Sequence, residues 1–387
     1  MRAVLSDLWP RAPRASAGAC LAACACLLAG CAGGPGRAVP VEWPVAEPAT
    51  QGLDAGRLAS LADRMERGEY GAVTSFLVVR HGTLVLERYF RGAGPDSLQA
   101  LASVTKSVTS ALVGLAVDSG LVPGPDATVA SLLPQYQDLF AADPRKRSIT
   151  LAHLLTMTSG LDWDESRPPL PEAGERADWL RIVLRQPLVE APGTRFRYSS
   201  GNALLLSGVL ARAYGVAAIQ VAVRTLFGPL GVTRYRWLPL TDGLTPGGSA
   251  LDLRPRDLAK FGQLYLDRGV FRGRRVLSEE WVRLSTTGRV DLGDGSRYGY
   301  MWRVVPPPRV MPPPPDVARA SGGQAGAAGG PPLAGAFFAV GFGDQYLFVI
   351  PGLDMVVVLT AANWEGHAVR PQAFLTSEIV PAALGGR

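Results

Sequence analysis

The chain has 387 residues, 47% of them hydrophobic and 19% charged, with a formal net charge of +6. It is long enough for one large core or two coupled ones, and its charge is too sparse for long acidic or basic tails. No Lys/Arg cluster is interleaved with aromatics, which speaks against a nucleic-acid partner, and the basic balance reads as solvated surface.

The N-terminus reads as an address. Arg2, Arg11 and Arg14 form a basic region, followed by the apolar run AGACLAACACLLAG that ends at Gly30. The run is too short to span a bilayer and fits a secretory leader. It leads into Leu28-Ala29-Gly30-Cys31, which resembles a bacterial lipobox with Cys31 as the lipidated first mature residue. The expected organisation is a lipoprotein signal peptide over 1–31 and a Pro/Ala-rich tether over 32–50. Such a protein is exported and anchored to a membrane rather than spanning it. Ala32 after the cysteine resembles outer-membrane sorting, facing the periplasm. All four cysteines (Cys20, Cys24, Cys26, Cys31) lie in the leader. The mature chain therefore has no disulfide, no cysteine nucleophile and no cysteine-based metal site.

Downstream, Leu58, Leu61 and Met65 recur at helical spacing over 54–67, with Asp54 as N-cap. Two strand-like runs, Ser75–Arg80 and Thr83–Phe90, flank a His81-Gly82 turn. From 103 to about 290 the pattern is mostly helical. Val104, Val108, Leu112 and Leu115 recur before a stop at Gly120, and further helices are expected over Thr150–Met157, Ala203–Tyr214 and Leu253–Leu266. Residues 305–335 form a Pro/Gly/Ala-rich insertion, left without secondary structure. Strands Gln345–Ile350 and Asp354–Leu359 and a helix over Gln372–Leu384 close the chain. Strands at both ends with helices between imply an α+β architecture. Its discontinuous α/β domain spans 51–102 and 290–387 and holds a helical domain at 103–289.

Three segments carry chemistry. Ser103-Val104-Thr105-Lys106 is the first. On a helix, positions i and i+3 share a face, so the Lys106 amine reaches the Ser103 hydroxyl. Serine needs a neighbouring base, and a buried lysine can be neutral where arginine cannot. The chain has only three lysines, Lys106, Lys146 and Lys260, which gives one in this place weight. The helix start also favours developing negative charge. The second is Tyr198-Ser199-Ser200-Gly201-Asn202, before a buried helix; alone, such a tyrosine is more often core. The third is Ala339-Val340-Gly341-Phe342-Gly343-Asp344-Gln345, where glycines permit close backbone approach to a ligand; alone, it signals only a bulge or turn.

In this order the three segments resemble the serine β-lactamase and penicillin-binding-protein superfamily, nearest its class C-like branch of esterases and aminohexanoate-dimer hydrolases. The resemblance covers about 50–384 and includes HLLTMTSGLDW (153–163), PGTRFRYSSGNALLLSGVL (192–210), RPRDLAKFGQLYLDRG (254–269) and YGYMW (298–302). It implies a β-lactamase/transpeptidase-like fold, an antiparallel sheet flanked by helices with an inserted all-helical domain. It further implies Ser103 as acylated nucleophile, Lys106 as base partner and Tyr198 as proton shuttle. The backbone N–H groups of Ser103 and Phe342 would form the oxyanion hole. Ser200, Gly341, Trp163 and Gln345 are candidate substrate or supporting residues. Two departures stand out. The branch's Tyr-x-Asn carries Ser200 at its third position, and the cation that usually opens the third segment is replaced by Ala339. The shorter Ser200 hydroxyl can still hydrogen-bond Lys106, and the missing cation fits esterases and amidases better than carboxylate-recognising β-lactamases.

The expected function is hydrolysis of small esters or amides through an acyl-enzyme, without cofactor or metal. A D,D-peptidase or β-lactamase acting on cell-wall-like substrates stays open, as does a non-catalytic lipid-anchored binding or sensor protein. Other constellations are weaker. His81, His153 and His367 lack a G-x-S-x-G partner and metal-ligand spacing, so structural or surface roles are expected. Asp162, Asp164 and Glu165 read as a solvated loop at the cleft rim, and Trp163 beside them either lines the cleft or packs. Asp291 and Asp294 read as a hairpin turn. Gly247-Gly248-Ser249 reads as a turn, because no lysine follows it.

Overall fold

The computed structural model describes residues 42–170, 177–306 and 332–385. The leader with Cys31, residues 32–41 of the tether and most of the 305–335 insertion lie outside the described residues.

Strands β1 (Val73–Arg80) and β2 (Thr83–Tyr89) form the expected hairpin, with His81 in the left-handed region at the turn. Short strands follow. β3 (Gln99–Ala100), β4 (Tyr235–Trp237) and β5 (Leu251–Leu253) make a small sheet, and β6 (Val270–Phe271) pairs with β7 (Arg274–Arg275). The C-terminal part adds β8 (Val290–Asp291), β9 (Arg297–Tyr298), β10 (Arg303–Val304), β11 (Phe337–Gly341), β12 (Gln345–Ile350) and β13 (Met355–Ala361). The main sheet is antiparallel and eight-stranded, in the order β2-β1-β13-β12-β11-β10-β9-β8.

Period-2 alternation divides the side chains between two cores. Leu77, Val79, Leu347, Val349, Val356 and Val358 join the core shared with the helical region. Phe76, Val78, Phe348, Ile350, Val357 and Leu359 face the terminal helices. One of these is Ala55–Glu66, capped by Asp54, whose carboxylate accepts from Arg57 N at 2.9 Å. The C-terminal helix runs Pro371–Phe374 and Val380–Leu384 with a wider π-turn, Leu375–Ile379, between them. Pro381 cannot donate into a regular helical ladder, which accounts for an irregular turn there. The Asp54 N–H donates to Ala382 O at 2.8 Å and ties the two termini together.

Two expectations need correction. Residues 42–50 are docked rather than free. Val45 bridges to Leu84, the Leu84 N–H donates to Pro44 O at 2.9 Å, and the Trp43 indole donates to Arg256 O at 3.1 Å. An edge strand with unpaired backbone groups recruits this segment as a partial ninth strand. Nor is the 103–289 region all helical, since β4 to β7 lie inside it. It shares one continuous core with the sheet, and the described residues belong to one compact unit.

Candidate active site

Ser103 lies in a 3₁₀ turn, Ala102–Val104, that runs directly into the helix Thr105–Asp118. Ala102 is held at φ 45°, a conformation alanine seldom adopts. Met301, another non-glycine left-handed residue, lines the same cleft, and Asp344, also left-handed, holds His367 of that lining. Such strain persists where surrounding structure over-determines it.

The helix places Lys106 one turn after Ser103 and buries it to 2% exposure. Its Nζ donates to Ser103 Oγ at 3.0 Å, to Ser200 Oγ at 3.0 Å and to Gly248 O at 2.9 Å, and lies 4.8 Å from the centre of the Tyr198 ring. Ser200 opens the helix Ser200–Tyr214, whose N-cap is the Ser199 hydroxyl. The Gly247-Gly248 turn is a supporting element that spacing did not reveal. A Cβ on Gly247 would fall 2.5 Å from Ala203 O, so glycine is what lets the turn approach and aim the Gly248 carbonyl at Lys106.

The third segment forms the facing wall. A Cβ on Gly341 would lie 2.4 Å from Leu101 O, so glycine is required for β11 to meet the Ser103 turn. Phe342 follows, its ring half exposed in the cleft. Gln345 is buried and is not among the residues lining the cleft. Its amide donates to Gly343 O at 2.9 Å and Ala361 O at 2.6 Å, which fixes the turn carrying Phe342. Trp163 is also buried, packed where Gly201 leaves room for its ring, and does not line the cleft. The close approach of helix Ser200–Tyr214 draws it into the core.

The cleft holds about 290 Å³ and is lined by Ser103, Tyr198, Tyr298, Met301, Arg303, Phe342 and His367 among others. Arg303 and His367 were not expected there. Arg303 stands opposite Phe338 on the neighbouring strand, and its Nη1 donates to Asp294 Oδ2 at 2.6 Å. The cation missing at Ala339 thus has a counterpart from β10. The His367 Nδ1 meets the buried Asp344 carboxylate at 2.8 Å, and its ring is edge-on to Phe342. Burial pushes the Asp344 carboxyl up, but hydrogen bonds from Asn363, His367, Ala368 N–H and Tyr346 outweigh it and hold the carboxyl below its ordinary range. Burial, with Tyr198 nearby, raises the Tyr298 phenol well above its usual value and keeps it neutral. Glu165, expected in a solvated loop, is exposed but accepts from both the backbone N–H and the hydroxyl of Ser200.

The other candidates stay apart. His81, at the β1–β2 turn, pairs with Asp354 from the β12–β13 connection, and His153 closes a capping box with Thr150. Among the described residues no group of three or more His, Cys, Asp or Glu could hold a metal.

A family model described as Beta-lactamase matches residues 59–376. The chain belongs to this beta-lactamase family. It is 28% identical over 265 residues to the 6-aminohexanoate-dimer hydrolase of Paenarthrobacter ureafaciens, covering 62% of this chain and 65% of that protein. It is 31% identical over 213 residues to esterase EstB of Burkholderia gladioli, covering 48% and 53%. The chain thus spans under two thirds of the length of these relatives. Its fold superposes on a penicillin-binding protein homologue from Caulobacter crescentus with a TM-score of 0.64, at 16% identity and covering 88% and 99%. The β-lactamase/transpeptidase-like fold expected from the sequence is therefore the fold of this family member.

Proposed function

We propose that the protein is a serine hydrolase that cleaves small esters or amides through an acyl-enzyme on Ser103. The observation that carries this reading is the Lys106 Nζ, buried and 3.0 Å from Ser103 Oγ, at the floor of a cleft shared with Tyr198. The Lys106 amine takes the Ser103 proton as Oγ attacks the carbonyl carbon. The backbone N–H groups of Ser103 and Phe342 receive the oxyanion, a contribution of about 3 kcal/mol per donor. Tyr198 passes a proton to the leaving alcohol or amine, and water then releases the acid from Ser103. The relatives named as an amide-dimer hydrolase and an esterase support that substrate range.

The deciding test is fluorophosphonate labelling and an ester and amide panel on wild type, Ser103→Ala and Lys106→Ala. Wild-type labelling and turnover with both variants silent is the expected result. A folded wild type inert to every probe would instead favour a binding or sensor protein.

One observation favours a second reading, a D,D-peptidase or β-lactamase acting on carboxylate-bearing substrates. Arg303 brings a guanidinium to the cleft opposite Phe338, beside the position where Ala339 lacks a cation. Nitrocefin turnover that falls in Arg303→Ala would support it. Membrane anchoring through Cys31 is likewise our proposal, and globomycin-sensitive processing of the full chain tests it.

A further inference from the structure

Ser200 raises a question of hydrogen counting. To take the Ser103 proton, the Lys106 amine needs its lone pair aimed at Ser103 and its two N–H bonds aimed elsewhere. Two further acceptors stand within reach, Gly248 O at 2.9 Å and Ser200 Oγ at 3.0 Å. A carbonyl can only accept. A hydroxyl can also turn and donate to the amine, which would occupy the lone pair that Ser103 requires.

What prevents that turn is a place for the hydroxyl hydrogen to go. The Glu165 Oε2 lies 2.9 Å from Ser200 Oγ, and its Oε1 takes the Ser200 backbone N–H. An ionised carboxylate has no hydrogen to give, so the direction of the Ser200–Glu165 bond is fixed. The loop that holds Glu165 is anchored close by, since Asp162 N–H donates to Pro187 O at 2.9 Å and Trp163 is buried.

We propose that Glu165 is a positioning residue that keeps Ser200 an acceptor toward Lys106, and so keeps the Lys106 lone pair on Ser103. The inference rests on the Ser103–Lys106 chemistry proposed above. In this role Glu165 acts through the Ser200 hydroxyl, whereas its bond to the Ser200 backbone N–H supports the loop and persists in Ser200→Ala.

The test compares wild type, Glu165→Ala, Glu165→Gln, Ser200→Ala and the Glu165→Ala/Ser200→Ala double variant. The readouts are the rate of Ser103 labelling by a fluorophosphonate, kcat/KM on a p-nitrophenyl ester, and Tm. Glu165→Ala is expected to slow labelling and kcat/KM about tenfold, the scale of one lost hydrogen bond to a charged group. Glu165→Gln, whose amide oxygen also accepts, is expected to recover to within about threefold of wild type. In the Ser200→Ala background, Glu165→Ala is expected to have no further effect. The inference is overturned by a Glu165→Ala variant as fast as wild type, by Glu165→Gln as slow as Glu165→Ala, or by an equal loss with and without the Ser200 hydroxyl. A wild type that neither labels nor turns over removes the Ser103–Lys106 chemistry and this inference together. An active wild type matched by Glu165→Ala removes the inference alone.

Discussion

An arginine at position 106 would keep a charge on a long side chain but could not give up a proton near neutral pH. Lys106→Arg is therefore expected to fold and yet lose at least about a thousandfold in kcat/KM, measured on the ester that wild type turns over best. Asp344 offers a second test at this scale. It is fully buried at φ 64°, and its carboxylate binds the 363–369 segment that carries His367 into the cleft. Because its folded-state carboxyl sits below the ordinary range, its stabilisation is complete above the unfolded value of about 3.9 and is lost as pH falls through the lower folded value. Asp344→Asn should lower stability by on the order of 2 kcal/mol at neutral pH and flatten the loss of Tm below about pH 4. An unchanged acid limb in thermal melts would show that another carboxyl governs it. The contrast in legibility follows from sequence separation. Ser103 and Lys106 are three apart, so helical geometry alone joined them. Gly248 reaches Lys106 across 142 residues and Glu165 reaches Ser200 across 35, and no local period encodes such meetings.

At the scale of elements, the sequence was most readable where one face of a repeating structure is buried. The β1–β2 hairpin, β12, β13 and the helix Ala55–Glu66 fell within a few residues of expectation because period 2 or 3.6 was visible. The two-residue strands β8 to β10 were not assigned, since two residues carry no period. Arg303 on β10 was missed for that reason. The fit of β11 against the Ser103 turn makes a sharper claim. A methyl on Gly341 would meet Leu101 O at 2.4 Å, so Gly341→Ala must push β11 away from Ser103. Displacement of this order is expected to reduce kcat/KM about a hundredfold while the main sheet survives. Gly114→Ala is the control: it would drive a methyl into the Trp281 ring, away from the cleft wall. It should lower stability by about 1–3 kcal/mol in denaturant titrations and leave kcat/KM per folded molecule near wild type.

Across the whole molecule, the 42–50 segment connects the anchoring proposal to the fold. Its composition, rich in Pro and Ala, resembled a tether, and only the open edge of β2 explains why it docks. That edge needs hydrogen-bond partners, and no property of residues 42–50 taken alone announces that they supply them. A chain starting at Gln51 would lose the bridge to Leu84, the backbone hydrogen bonds from Leu84 N–H to Pro44 O and from Ala46 N–H to Leu84 O, and the Trp43–Arg256 contact. If these contribute about 2 kcal/mol together, Tm should fall by about 3 °C. The exposed β2 edge should also make the shortened chain associate at high concentration, visible by light scattering. Catalysis should be spared, because β2 stands four places from β11 in the sheet and the cleft opens on β11. A shortened chain with unchanged Tm would mean that the docking of residues 42–50 contributes no net stability.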